Sequence, residues 1–145
     1  MARVLIFEDH RELALYWEAA LEEVGHETWI CSDRKVAEEI IKRSRIDVLV
    51  LDILIEDNTS VEEDTFGSNL HGLKLLQQLK SFETKFQPRV IAVSGYPQKG
   101  ILEVLDMAKA LKADITLKKP ISTDRLLSAI SQLVPTDSQA KQCNV

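Results

Sequence analysis

The chain has few of the residues that cross-link a fold or carry it through a membrane. It contains only two cysteines, Cys31 and Cys143. They lie far apart in the sequence and have different kinds of neighbouring residues, which argues against a disulfide framework or a cysteine-based metal site. Five glycines and four prolines among 145 residues argue against a fibrous or low-complexity chain. A transmembrane helix needs about 18 consecutive apolar residues, and no stretch of this sequence comes near that length. The apolar run before Glu8 is too short for the core of a signal peptide. We therefore expect a single globular domain in the cytoplasm.

Positive charge is scarcer than negative charge. The chain has 18 Lys and Arg against 23 Asp and Glu, a formal net charge of −5, which argues against nucleic-acid binding because that role needs clustered basic residues. The segment between Ile53 and His71 contains five acids and no Lys or Arg; the acids are Glu56, Asp57, Glu62, Glu63 and Asp64. The rest of the chain is balanced, so the acidity is a local feature.

Short apolar runs alternate with helical patterns along the chain. The runs at residues 4–7, 48–51 and 90–93 are apolar on both faces, as is typical of strands buried in a parallel sheet. Five such strands alternate with five helices. This order predicts an α/β domain over residues 1–134, with a five-stranded, parallel, doubly wound sheet. A polar tail, residues 135–145, follows the last helix.

Polar side chains stand at the ends of four predicted strands: Glu8 and Asp9 after the first, Asp52 after the third, Ser94 after the fourth and Lys119 after the fifth. Doubly wound sheets bind ligands at the carboxyl ends of their strands. Three carboxylates held together repel unless a cation lies among them, and oxygen ligands with open positions suit Mg²⁺. Taken singly, each residue also suits a helix cap or a turn, and Glu8 and Asp9 suit a cap of the first helix. The conjunction favours a magnesium and phosphoryl site.

Four segments in this order, VLIFED, IDVLVLD, VIAVSG and LKKP, resemble the receiver domain of two-component response regulators. The resemblance covers about residues 3–134 and implies the CheY-like, flavodoxin-like fold. It implies that Asp52 accepts a phosphoryl group from a sensor histidine kinase or a phosphotransfer protein. It also implies that Ser94 hydrogen-bonds the phosphoryl oxygens, that Lys119 pairs with them, and that Mg²⁺ is bound by Glu8, Asp9, Asp52 and the backbone carbonyl of Leu54.

The resemblance further implies an autocatalytic phospho-acceptor rather than a turnover enzyme. Output would come through phosphorylation-dependent binding of a downstream protein, without direct contact to nucleic acid. Such a protein is expected to be a monomer or a weak homodimer. Receivers often have a cis peptide bond before the proline that corresponds to Pro120. If the sequence is the whole gene product, we expect a stand-alone receiver or phosphorelay carrier; if it is part of a longer protein, the polar tail after Pro135 would suit a linker to an output domain.

The sequence departs from the family in three places. The glycine that opens the third helix is Gly72, about twelve residues later than usual, which makes residues 53–71 an acidic insertion between strand 3 and helix 3. That insertion is either a mobile, solvated loop or a loop that contacts a partner or shields the site. Thr116 occupies the switch position that usually holds an aromatic residue. Leu54 and Tyr96 lack the carboxamide that positions an attacking water, which predicts a long-lived phosphoryl group.

Two alternatives remain open at this stage. The first is a receiver-like interaction module that works without phosphorylation, which Thr116 and the acidic insertion favour. The second is a phosphatase with an aspartate nucleophile. Such phosphatases commonly carry a second Asp two residues after the nucleophile, where this chain has Leu54. Uptake of phosphate separates the first alternative from a working receiver, and turnover of a phosphomonoester would favour the second.

Overall fold

The computed structural model describes residues 1–53, 71–79, 81–82, 86–94, 108–109 and 111–134. These ranges contain five strands and four helices, in the order β1 (Arg3–Phe7), α1 (Arg11–Glu23), β2 (Glu27–Cys31), α2 (Arg34–Arg43), β3 (Val48–Asp52), α3 (His71–Leu79), β4 (Arg89–Ser94), β5 (Ile115–Lys118) and α4 (Thr123–Leu133). The helix expected around residues 101–111 lies largely outside the described residues, as do the acidic segment from 54 to 70 and the tail from 135. Within the described ranges, no helix has the length and apolarity to cross a membrane.

The five strands form one parallel sheet in the order β2-β1-β3-β4-β5, which confirms the predicted α/β architecture. The chain runs outward from β1 to β2 and then returns across β1 to β3, so the direction of winding reverses between β1 and β3. Phe7 of β1 is in register with Leu51 of β3. The residues that follow these two strands are therefore neighbours at the carboxyl edge, where such sheets bind ligands.

Alternate side chains of the strands supply two cores, one on each face of the sheet. Leu5 and Leu49 belong to the core beneath α2 and α3, whereas Val4 and Val50 belong to the core beneath α1 and α4. All five residues of β3 are buried. A strand covered on both faces has to be apolar on both faces, which is the pattern the sequence displays.

The helix caps leave the strand-end carboxylates available for other contacts. His10 is the N-cap of α1, and its Nδ1 accepts a hydrogen bond from the Leu13 N–H at 3.1 Å. The interpretation of Glu8 and Asp9 as caps of this helix is therefore wrong, because the helix begins after His10. Asp33 caps α2 by accepting hydrogen bonds from the Lys35 and Val36 N–H groups, and Ser122 caps α4.

The first turn of α3 packs directly on the end of β3 through Gly72. A Cβ atom added to this glycine would lie 2.6 Å from the Ile53 Cα and 2.7 Å from the Asp52 carbonyl carbon. No side chain fits at this distance, so glycine permits the helix to approach the strand. The third helix therefore rests against the backbone of Asp52.

Candidate functional site

The carboxyl edge of the sheet brings together residues from four strand ends. Glu8 follows β1, Asp52 ends β3, Ser94 ends β4 and Lys119 follows β5. Carboxylate oxygens of Glu8, Asp9 and Asp52 all lie within 4.8 Å of one another. Glu8 and Asp52 are buried, whereas Asp9 is exposed. This cluster arises because parallel strands present their carboxyl ends at one edge, with β1 beside β3.

Lys119 spans the two buried carboxylates. Its Nζ donates hydrogen bonds to Glu8 Oε1 at 2.6 Å and to Asp52 Oδ2 at 3.2 Å. The Lys119 backbone N–H donates to the Ser94 carbonyl oxygen at 2.7 Å, which fixes the start of the side chain beside β4. The peptide bond between Lys119 and Pro120 is cis. One ammonium group thus bonds two of the three clustered carboxylates.

The electrostatics of this group reflect a shortage of positive charge. Burial and the neighbouring Asp52 carboxylate raise the pKa of Glu8 to about 9, although Lys119 opposes the shift. Burial by itself lowers the pKa of Lys119, but the carboxylates of Asp52 and Glu8 outweigh it, and the net pKa is raised. The lysine is therefore held in its charged form, while the carboxylates beside it repel one another.

A divalent cation fits this donor set. Glu8 Oε2 is buried and has no hydrogen-bond donor among the described residues. Burying an acceptor without a partner is costly, and a cation at this oxygen would remove the cost and the carboxylate repulsion together. Carboxylate oxygens with open positions are the ligands that Mg²⁺ prefers. The cluster of Glu8, Asp9 and Asp52 therefore has the chemistry to hold Mg²⁺.

Ser94 and Thr116 lie on the adjacent strands β4 and β5. Ser94 is fully buried, and its Oγ has no hydrogen-bond partner within the described part of the chain. Thr116 is half-buried on β5, in register with Ala92 of β4. Leu54 and Tyr96, named from the sequence as a metal ligand and as a determinant of phosphoryl lifetime, lie outside the described residues. Among the described residues, the Ser94 hydroxyl therefore makes no hydrogen bond, and it lies at the same edge of the sheet as Asp52 and Lys119.

One neighbour of this site, Trp17, cannot be recognised as such from the sequence. The Nζ of Lys119 lies 5.9 Å from the centroid of the Trp17 ring, and Trp17 is only 1% exposed. Helical spacing places Trp17 on the apolar face of α1 but gives no sign that it lies near a lysine 102 positions later in the chain. Trp29 is half-buried on β2, in contact with the other core.

Comparisons with known proteins agree with this geometry. Residues 4–131 match the family model described as the response regulator receiver domain. Sporulation initiation phosphotransferase F of Bacillus subtilis is 22% identical over 136 residues, which cover 94% of this chain and 96% of that protein. A CheY-like receiver domain protein of Methanospirillum hungatei is 24% identical, with a TM-score of 0.72 and 98% of each chain covered. A response regulator of Thermotoga maritima is 19% identical, with a TM-score of 0.70, 94% of this chain and 99% of that one covered.

Proposed function

This chain belongs to the response regulator receiver family of two-component signalling, and from that premise we propose that Asp52 accepts a phosphoryl group from a histidine kinase or a phosphotransfer protein. The observation that carries the proposal is the Lys119 ammonium bonded to both Glu8 and Asp52 at the carboxyl edge of the sheet. We assign the receiver to residues 1–134, the acidic inserted loop to residues 53–71 and a polar tail to residues 135–145. We place its action in the cytoplasm, with a downstream protein as the target.

The chemistry proposed for Asp52 is nucleophilic. One carboxylate oxygen attacks the phosphorus of the donor, a P–O bond to Asp52 forms, and the bond to the donor's leaving group breaks with its electron pair. The product is an acyl phosphate on Asp52. Because Asp52 is 5% exposed and rests against α3 through its backbone, the nucleophile is held in a fixed position before the donor arrives.

The other site residues stabilise charge on the transferring group. Lys119 already points its ammonium at Asp52 and would pair with a phosphoryl oxygen there. The Ser94 hydroxyl, unpartnered among the described residues, would donate a hydrogen bond to another oxygen. Glu8, Asp9 and Asp52, with the Leu54 carbonyl, are the proposed ligands of Mg²⁺, which would neutralise negative charge at the site when bound.

The first test is the intact mass of the protein after incubation with acetyl phosphate and Mg²⁺. We expect the wild type to gain one phosphoryl group and Asp52→Asn to gain none. The same incubation with EDTA should abolish the gain, since the carboxylates then lack their cation. The decay of the phosphorylated form tests the long lifetime predicted from Leu54 and Tyr96.

The interaction module that works without phosphorylation is the second candidate, and Thr116 favours it because the usual aromatic switch residue is absent. No mass gain in the folded, Mg²⁺-loaded wild type would favour this candidate. Sustained release of phosphate from a phosphomonoester would instead favour the aspartate-based phosphatase. A gain confined to the wild type argues against the phosphorylation-independent module, and the absence of sustained phosphate release from a phosphomonoester argues against the phosphatase.

A further inference from the structure

Trp17 is a large aromatic residue with one polar N–H group, and it is buried in the core close to the charged groups of the candidate site. It lies on α1, two turns after the N-cap His10, in the core shared with α4. Its indole Nε1–H is buried and finds no acceptor within the described parts of the chain. Burying this donor without a partner is unfavourable, so the hydrogen-bonding edge of the indole does not account for its orientation.

The face of the ring does have a charged partner. The Lys119 ammonium lies over it, 5.9 Å from the centroid, within the range in which a cation is attracted by the ring quadrupole. The Lys119 side chain is only 19% exposed and its ammonium is bonded to Glu8 and Asp52, so little water competes with the ring. Desolvated cation–π contacts are stronger than exposed ones.

We propose that Trp17 is a positioning residue for Lys119, holding the ammonium at the carboxyl edge while its carboxylate partners change. This inference deepens the proposed function and rests on it. Lysine has a long, flexible side chain, so two hydrogen bonds alone leave it free to move when either carboxylate gains a new partner. The Trp17 contact is independent of those carboxylates, and it therefore persists when Asp52 is modified or when Glu8 binds a cation.

The contact can be tested without any phosphorylation. A group above an aromatic ring face experiences an upfield ring-current shift, so the Lys119 Hε and Hζ resonances of the wild type should lie upfield of ordinary lysine values. Lys119→Arg identifies these resonances by their loss. Trp17→Phe keeps a ring face and should retain part of the shift, whereas Trp17→Leu should abolish it. Ordinary Lys119 shifts in the wild type would overturn the proposal, whether or not the variants fold.

The functional arm measures the rate of Asp52 phosphorylation by acetyl phosphate. A desolvated cation–π contact predicts a rate about three- to tenfold lower in Trp17→Leu, with Trp17→Phe recovering most of the loss. Trp29→Leu is the matched control, because Trp29 contacts the other core and stacks with Arg3 instead. Rates are compared under conditions where urea unfolding shows each variant to be folded.

The outcomes separate the two proposals. Equal losses in Trp17→Phe and Trp17→Leu, or a similar loss in Trp29→Leu, would mean that only packing matters, and would overturn the positioning role. No phosphorylation of the wild type would refute the proposed function, while the Lys119 shifts would still decide whether the ring holds the ammonium.

Discussion

Replacing Gly72 with alanine sets two physical effects against each other. Gly72 lies in the first turn of α3, and a helical glycine replaced by alanine ordinarily gains up to about 1 kcal/mol of stability. At this position, however, the new Cβ would lie 2.6 Å from the Ile53 Cα and 2.7 Å from the Asp52 carbonyl carbon. Ordinary contacts between carbon atoms are about 3.5–4.0 Å, and the Asp52 carbonyl oxygen would lie even closer to the new Cβ, so the helix and the strand end would have to separate by more than about 1 Å.

The steric clash of the new Cβ should outweigh the gain in helix propensity. Forcing extra atoms into a packed core costs about 1–3 kcal/mol, and the upper end applies here because backbone, rather than a flexible side chain, blocks the methyl group. Subtracting the helical gain leaves a destabilisation of about 2 kcal/mol. For a domain of this size, that corresponds to a fall in Tm of about 4–8 °C.

Urea unfolding followed by circular dichroism measures this difference directly. Gln77→Ala is the control, because Gln77 is exposed on the same helix and its replacement introduces no clash. Its free energy of unfolding should stay within about 0.5 kcal/mol of the wild type. If Gly72→Ala were as stable as the wild type or more stable, helix propensity would outweigh packing and the close approach of α3 to Asp52 would be refuted.

Three further predictions concern residues away from the site. Asp33→Ala removes the acceptor of the Lys35 and Val36 N–H groups and should cost about 1 kcal/mol in urea unfolding; no loss would contradict the cap. Burial and, to a lesser extent, the negative charge of Asp33 raise the pKa of the Cys31 thiol to about 12. In a Cys143→Ser variant, Cys31 should therefore react only slowly with Ellman's reagent until urea unfolds the protein. Rapid labelling of the folded protein would refute this prediction. Burial and, to a lesser extent, the positive amino terminus lower the pKa of His26 below 6.5 in the folded protein. Below pH 6.5 the unfolded chain therefore binds more protons at His26 than the folded protein does, so the free energy of unfolding should decrease as the pH falls. His26→Asn should flatten that fall in urea unfolding between about pH 7.5 and pH 5.5, and an unchanged slope would exclude His26 as its source.

Several features of the site follow from the order of residues alone. Parallel strands in a doubly wound sheet end at one edge, so Glu8, Asp52 and Lys119 can be grouped without knowing any distance. The apolar pattern of β3 likewise requires helices on both faces. Asp33 is recognisable as a cap because a cap is decided within four residues of chain.

Other features depend on the geometry of the folded chain, either local or between distant segments. The interpretation of Glu8 and Asp9 as caps was wrong because several residues near a helix start can cap it, and local geometry selected His10. That Lys119 bonds Glu8 at 2.6 Å as well as Asp52 depends on β1 lying beside β3 in the sheet, with β4 and β5 following. The contact of Trp17 with Lys119 has the same origin, since helical periodicity reports only which face of α1 is apolar.

The sequence by itself thus determined the fold class, the edge of the sheet that carries the chemistry and the kinds of group gathered there. These properties depend on periodicity and strand order, which are encoded locally and read along the chain. Only the tertiary structure decided which groups touch, which oxygens remain unpartnered and how closely Gly72 brings α3 to Asp52. Those properties depend on packing between segments far apart in the chain, where differences of about 1 Å change the sign of an interaction.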